Sequence, residues 1–297
     1  MADSNSLTSS GSNGFLPRAI TIPLAALLTL IFIALLFPWD AVGRRIAWEI
    51  SRVSGAVVNV TDLSPGLSGR GPVLRATDVT IEHPAVDRVR LSALEIAPRF
   101  SMSWFGGNPT LRIWGESNLG NIDGVLRLGR EPAYVGHVSE VELARLPLRL
   151  RESDLQLSGL LDAEADVALD PGGTLGGRVD FESPSLRVQS GLLPIPLEFS
   201  SASGTIELLE SGATKITNVR LDGPTVQGEI DGEVGLVHRS QSPPLAMTAR
   251  VRILDATLRQ LAPSAGLRLD AQGEARLQIS GTADAPKLSM LRGGNAQ

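Results

Sequence analysis

Strict two-residue alternation of apolar and polar side chains constrains this chain more than any other feature. Leu155, Leu157, Gly159, Leu161, Ala163, Ala165, Val167 and Leu169 alternate with Gln156, Ser158, Asp162, Glu164, Asp166 and Asp170. A second run places Leu267, Leu269, Ala271, Gly273, Ala275, Leu277 and Ile279 between Arg268, Asp270, Gln272, Glu274, Arg276, Gln278 and Ser280. Residues two apart share one face of a strand, so each run predicts an antiparallel strand with one apolar and one wet face. At about 13 to 15 residues these strands are long against the usual five or six. Shorter runs follow the same rule: Val89–Ile96 with a phase slip, Leu111 with Ile113, Leu126 with Leu128, and Val179 with Phe181. Leu186 with Val188, Ile195–Phe199, Ile206 with Leu208, Val226–Leu236 and Leu245–Ile253 continue it. Turn chemistry separates them at Asp170-Pro171-Gly172-Gly173, Ser211-Gly212 and Asp222-Gly223-Pro224. Glycines 159, 228, 232 and 273 mark places where a sheet can bend. The two long runs also form a weak repeat, offset by about 112 residues, each following a break at Leu143–Pro147 or Leu258–Pro263.

The apolar face has to be built mainly from aliphatic side chains. All four tryptophans precede residue 115, and after Tyr134 the only aromatics are Phe181 and Phe199. The absence of cysteine excludes disulfides and thiolate zinc sites. A net charge of −5 with 42% apolar residues fits neither a disordered polyanion nor a basic nucleic-acid binder.

The first residues obey a different pattern. Residues 1–18 form a polar tail expected to be disordered and, from the resemblance below, cytoplasmic. No charge interrupts residues 19–37, which as a helix reach about 28 Å, close to the roughly 30 Å hydrocarbon core of a bilayer. A transmembrane helix is therefore expected over 19–38, with Ile20, Leu24, Leu27, Leu30, Phe32, Leu36 and Phe37 as its apolar anchor and Trp39 at the interface. A cleavable signal peptide is the rival, but its apolar stretch is shorter and a cut after Ala41 or Gly43 would fall against Arg44 and Arg45. Arg18 against Arg44, Arg45 and Arg52 mildly favours a cytoplasmic C-terminus, and charge alone leaves the orientation open. Over 39–55, Asp40 can cap a short amphipathic helix with Val42, Ile46, Ile50 and Val53 on one stripe and Gly55 at its end.

Residue patterns for catalysis are missing. His83, His137 and His238 are isolated, so no metal site is expected, and no nucleophile elbow stands in a strand-to-helix context. Gly66–Gly71 lacks the helix and Lys-Ser/Thr of a phosphate loop and reads as a flexible loop. The acidic row Asp162, Glu164, Asp166 and Asp170 reads as a solvated face rather than a cation site. No cofactor and no nucleic acid are implied, and no enzyme is supported.

The order of parts then carries a resemblance. The helix "RRIAWEISRVSG" leads into "AVVNVTDLSP", "VLRATDVTIEHP" and "RVRLSALEIAPRFSMSWFGGNPTLRIWGE", and later "LQLSGLLDAEADVALD" and "LDATLRQLAPSAGLRLDAQGEARLQISGTADAP" follow. This organisation resembles bacterial AsmA-like envelope proteins. Among their relatives, the length and the "LLFPWDAVGRRI" junction are similar to protein N of the type II (general) secretion pathway, especially its deltaproteobacterial form. The resemblance covers residues 20 to 290 and implies a single-pass bacterial inner-membrane protein with a periplasmic C-terminal β domain. It offers no catalytic residues.

The expected fold is mainly β: one N-terminal transmembrane helix, a short amphipathic helix, then an elongated, curled antiparallel sheet, either an open trough or sandwich- or barrel-like. A first β unit spans 56–135, a second 136–285, and 286–297 form a loose tail. The expected function is a non-enzymatic accessory component of type II secretion, whose partners are the inner membrane and other secretion-system envelope proteins. The alternative is an AsmA-like lipid-handling protein with acyl chains along a β groove lined by Leu155, Leu157, Leu161, Val167, Leu267, Leu269, Leu277 and Ile279.

Overall fold

The computed structural model describes residues 57–69, 71–83, 86–99, 108–117, 119–129, 131–145, 156–169, 175–189, 196–236, 242–282 and 285–291. It also describes Leu28, Thr29, Phe32, Pro38, Ala41, Gly43, Arg44, Arg45, Ala47, Trp48 and Ser51. The chain divides into Met1–Trp39 and Asp40–Gln297, and the second unit holds fifteen strands. These are β1 (Val57–Ser68), β2 (Gly71–His83), β3 (Val86–Pro98), β4 (Thr110–Ser117), β5 (Asn121–Arg127), β6 (Ala133–Glu142), β7 (Gln156–Leu169) and β8 (Leu175–Gln189). There follow β9 (Leu197–Phe199), β10 (Ser201–Leu208), β11 (Thr214–Asp222), β12 (Val226–Val234), β13 (Pro244–Ile253), β14 (Glu274–Thr282) and β15 (Ala285–Met290).

All pairings are antiparallel, and the order runs β1 to β8, then β10 to β15, with β10 paired to β8 and the short β9 also paired to β8. This is one open antiparallel sheet in which β1 and β15 are the edges, so of the sequence alternatives the open form is the one adopted. Pairing passes without interruption through β6, which crosses residues 135 and 136. The sheet continues to Met290, so residues 286–290 are strand where the sequence suggested tail.

Three differences from the sequence expectation have local causes. Gly66–Gly71 is a hairpin rather than a flexible loop, since β1 runs to Ser68 and β2 starts at Gly71, with Ser68 paired to Gly71. The second long alternating run becomes strand only at Glu274. Before it, the Asp270 carboxylate accepts from the Gln272 and Glu274 N–H groups, and Gly273 takes φ 81°, which folds residues 270–273 into a turn. The break before that run is a six-residue helix (Ala256–Leu261) whose N-cap, Asp255, accepts from Leu258 N–H. The break before β7 begins as a single 3₁₀ turn, Leu143–Arg145.

A different recurrence emerges from the backbone. Asp78, Glu140 and Asn218 have positive φ (50°, 56° and 54°), and each stands in the pattern Ser/Thr-x-Val: Thr77-Asp78-Val79, Ser139-Glu140-Val141, Thr217-Asn218-Val219. Each is an irregular residue inside a strand, which lets residues three apart face the same side. Thus Ala76 and Val79 both enter the core, and Val138 and Val141 both oppose apolar residues of β7, Ala163 and Leu161. Register shifts mark the latter two sites, between Val138 and Val141 and between Ile216 and Val219. In both, an aspartate on the following strand accepts from the irregular N–H: Asp162 from Glu140 and Asp231 from Asn218, each at 2.8 Å.

The best-buried cluster lies at the β1 end, where Val58, Leu63, Ala76, Val79 and Leu91 pack with Ala47 of the preceding helical segment. Ser51 Oγ accepts from Val58 N–H, tying that segment to β1. Of the stripe expected over 39–55, Val42, Ile46, Ile50 and Val53 lie outside the described residues.

The Glu140 irregularity supports a direct test by urea denaturation. Glu140→Val puts a β-branched side chain at positive φ and is expected to cost about 1–2 kcal/mol. Asp162→Ala, which removes the acceptor, is expected to cost about 1 kcal/mol, while Asp162→Asn keeps it and stays within about 0.5 kcal/mol.

Candidate functional site

The register aligns apolar residues of every strand on the main path. One row reads Pro65, Leu74, Ile96, Ile113, Gly124, Gly136, Ala165, Val179, Ile206, Ile216, Gly232, Met247, Ile279 and Leu288, each directly opposite the next. No polar side chain interrupts it. The row on one side joins Leu63, Ala76, Leu94, Gly115, Ile122, Val138, Ala163, Phe181 and Gly204, and beyond the β11 irregularity Val219, Ile230, Ala249, Leu277 and Met290. The row on the other side includes Leu126, Tyr134, Val167, Gly177 and Leu208. Because opposite residues share a face, these rows make one continuous apolar surface. With strands about 4.8 Å apart, fourteen of them span about 60 Å.

Large side chains level this surface by lying over its glycines. The Tyr134 ring occupies the space above Gly124, where a Cβ would stand 2.5–2.7 Å from ring atoms, and it covers Gly136 as well. Phe181 does the same at Gly204, with ring atoms 2.9–3.0 Å from the Cβ position. Burial pushes the Tyr134 phenol above its ordinary pKa, with Asp123 adding to the shift. The Tyr134 hydroxyl is buried and finds no hydrogen-bond partner among the described residues.

Of the groove residues expected from sequence, Leu157, Leu161, Val167, Leu277 and Ile279 stand on this one face. Leu157 opposes Val188, and Leu161 opposes Val141. All five are half-buried. Leu267 and Leu269 are half-buried in the connection before β14 and not in a strand, while Leu155 lies outside the described residues. Alternation could not reveal Tyr134, Ile206, Ile216 and Met247 as neighbours of these positions, because that follows from register. Of the anchor residues only Phe32 is described; it is helical and exposed. Ile20, Leu24, Leu27, Leu30, Leu36, Phe37 and Trp39 lie outside the described residues. Among the described residues no helix is long and apolar enough to cross a membrane.

The opposite face is ionic. Arg75 pairs with Glu95 at 2.5 Å, Arg112 with Asp123 at 3.2 Å, Lys215 with Glu207 at 3.5 Å and Arg250 with Glu229 at 3.2 Å, all between neighbouring strands. Such exposed pairs contribute little stability each, on the order of 0–1 kcal/mol, but they favour one register over its slipped alternatives. A hollow of about 620 Å³ lies here, lined by His137, Asp162, Glu164, Asp180, Thr205 and Arg220 among others. Two of its carboxylates are engaged by the protein itself: Asp162 accepts from Glu140 N–H, and Asp180 takes the Arg178 fork at 2.7 and 2.8 Å and the Thr205 hydroxyl. The Arg178 hydrogen bond, then that of Thr205, holds the Asp180 carboxyl below the usual aspartate range. Among the described residues no group of three or more His, Asp or Glu is placed to hold a metal ion. Of the acidic row, Asp162, Glu164 and Asp166 stand on this face and Asp170 lies outside the described residues; the apolar surface is the candidate site. None of the family models, curated proteins or solved structures compared with the chain matches it.

Tyr134→Phe tests the surface locally. Removing a buried hydroxyl that has no partner is expected to leave stability unchanged or raise it by up to about 1 kcal/mol in urea. A loss of that size would mean that the hydroxyl is hydrogen-bonded.

Proposed function

We propose that this chain is a non-enzymatic, lipid-handling envelope protein that carries acyl chains along the apolar face of its sheet. The observation behind this is the unbroken apolar row across fourteen strands; beyond the helical segment packed at the β1 end, no second sheet lies among the described residues. Water against such a face costs about 25 cal/mol per Å² of apolar surface, far more than scattered surface leucines do. Acyl chains are the occupant that fits a smooth aliphatic strip with no polar group to fix an orientation. One leaflet of a bilayer gives a chain about 15 Å, so a strip of about 60 Å has room for several. In this reading the sheet curls into a trough, residues 19–38 anchor it in the bacterial inner membrane, and the β domain lies in the periplasm. The resemblance to AsmA-like envelope proteins supports the same picture.

A second reading, an accessory component of the type II secretion pathway acting through protein contacts, draws on a separate observation. β1 and β15 are edge strands, and Leu288 on β15 is 65% exposed. An exposed edge can accept a strand from an envelope partner.

Photo-crosslinking residues at Leu161 and Leu277 in native membranes separate the two. Lipid adducts at both positions are expected from the groove. Adducts only to other proteins would favour the secretion role, and a lack of any adduct would refute acyl-chain binding.

A further inference from the structure

The sheet uses only one side of β15. The Leu291 N–H bonds the Arg276 carbonyl at 3.0 Å, and along an antiparallel strand every second residue turns its N–H and C=O the same way. Lys287 and Ser289 therefore turn theirs to β14. The backbone groups of Leu288 and Met290 and the Pro286 carbonyl face outward, where no strand pairs among the described residues. Residues 285–289 are exposed, and Leu288, which ends the central apolar row, is 65% exposed. Pro286 has no N–H to donate and stands where that group would have pointed outward, so its pairing with β14 loses nothing.

We infer that β15 pairs antiparallel with β15 of a second copy of this chain, about a two-fold axis at Leu288. Read backwards, β15 is its own complement. This axis sets Leu288 against Leu288, Lys287 against Ser289 and Pro286 against Met290. Each outward N–H, from Leu288 and Met290, then meets an outward carbonyl, from Leu288 and Pro286 of the other copy. An axis at Lys287 would oppose two ammonium groups, and one at Pro286 would put two residues without an N–H at its centre. An axis at Ser289 would leave Ala285 and Pro286 outside the pairing. Proline and lysine commonly guard an exposed edge, and here they admit a like strand in one register. A two-fold axis perpendicular to the sheet keeps both apolar faces on the same side, so the row that ends at Leu288 continues into the second copy. That continuity and the self-complementary register select a second copy over an unrelated strand. The inference goes beyond acyl-chain binding and does not require it, although it doubles the surface that such binding would use.

Disulfide mapping reads this register directly, because the chain has no cysteine of its own. Opposite residues have Cα atoms about 5.5 Å apart in hydrogen-bonded pairs and about 4.5 Å in the others, both within reach of a disulfide. Leu288→Cys, in the full chain reconstituted in liposomes and oxidised with copper phenanthroline, is expected to give a covalent homodimer. Lys287→Cys and Ser289→Cys chains, whose like positions stand diagonally across the axis, are each expected to cross-link far less than a mixture of the two. Leu288→Pro removes only an outward N–H, and is expected to abolish the mixed cross-link while leaving the urea midpoint unchanged. No homodimer from Leu288→Cys, single variants that cross-link as well as the mixture, or a mixed cross-link that survives Leu288→Pro would each overturn the inference. Lipid adducts at Leu161 and Leu277 with no cross-link at β15 would sink this inference and leave acyl-chain binding standing.

Discussion

Cross-strand backbone pairing from strand to strand is the constraint on which everything else here depends. Apart from the short β9, each strand hydrogen-bonds to the next along the path, and the side chains that alternate along a strand are summed across strands into rows. A slip of one residue at any pairing would throw the apolar set of every later strand onto the ionic face. The cross-strand ion pairs on that face, such as Arg75–Glu95 and Arg112–Asp123, penalise such a slip even though each adds little stability. The Ser/Thr-x-Val irregularities do related work. They correct the phase within β2, β6 and β11, so that strands too long for a simple pleat still keep one apolar side.

A single sheet of this kind leaves two edges and one apolar face to be accounted for. The helical segment carrying Ala47 packs on the apolar face at the β1 end, and the edge strand β15 is short and includes Pro286 and Lys287. Ile206, Ile216 and Ile279 of the broad apolar surface are half-buried rather than buried, and no second sheet lies among the described residues. A protein that needed only a stable core would have folded that surface against a second sheet. Leaving it open is the cost that the proposed acyl-chain binding would explain.

Much of this was legible in the residues. Alternation over 155–169 predicted a long strand, and β7 covers Gln156–Leu169; the phase slip read within Val89–Ile96 corresponds to Leu91 and Leu94 both packing at the core. Other features were hidden for physical reasons. The run from Leu267 alternates as a strand does, but a carboxylate at Asp270 and a positive-φ glycine at 273 turn the chain first, and alternation carries no information about side-chain capping. The hairpin at Ser68–Gly71 was obscured because glycine serves loops and tight turns alike. Whether the sheet closes on itself depends on what pairs with β1 and β15, and no single strand encodes that. The candidate surface was therefore half visible: Leu157, Leu161, Val167, Leu277 and Ile279 came from the pattern, and their neighbours came only with the register.

The chain has no cysteine, so a single introduced thiol reports from one place. Ile216 and Lys215 are adjacent in β11 and face opposite sides, one in the apolar row and the other beside Glu207. An environment-sensitive dye attached at Ile216→Cys, with the full chain in nanodiscs, is expected to be quenched saturably by a fatty acid spin-labelled at its chain terminus. The same dye at Lys215→Cys is expected to respond only weakly and without saturation. Equal quenching at the two positions, or none at Ile216→Cys, would contradict an apolar face that holds acyl chains.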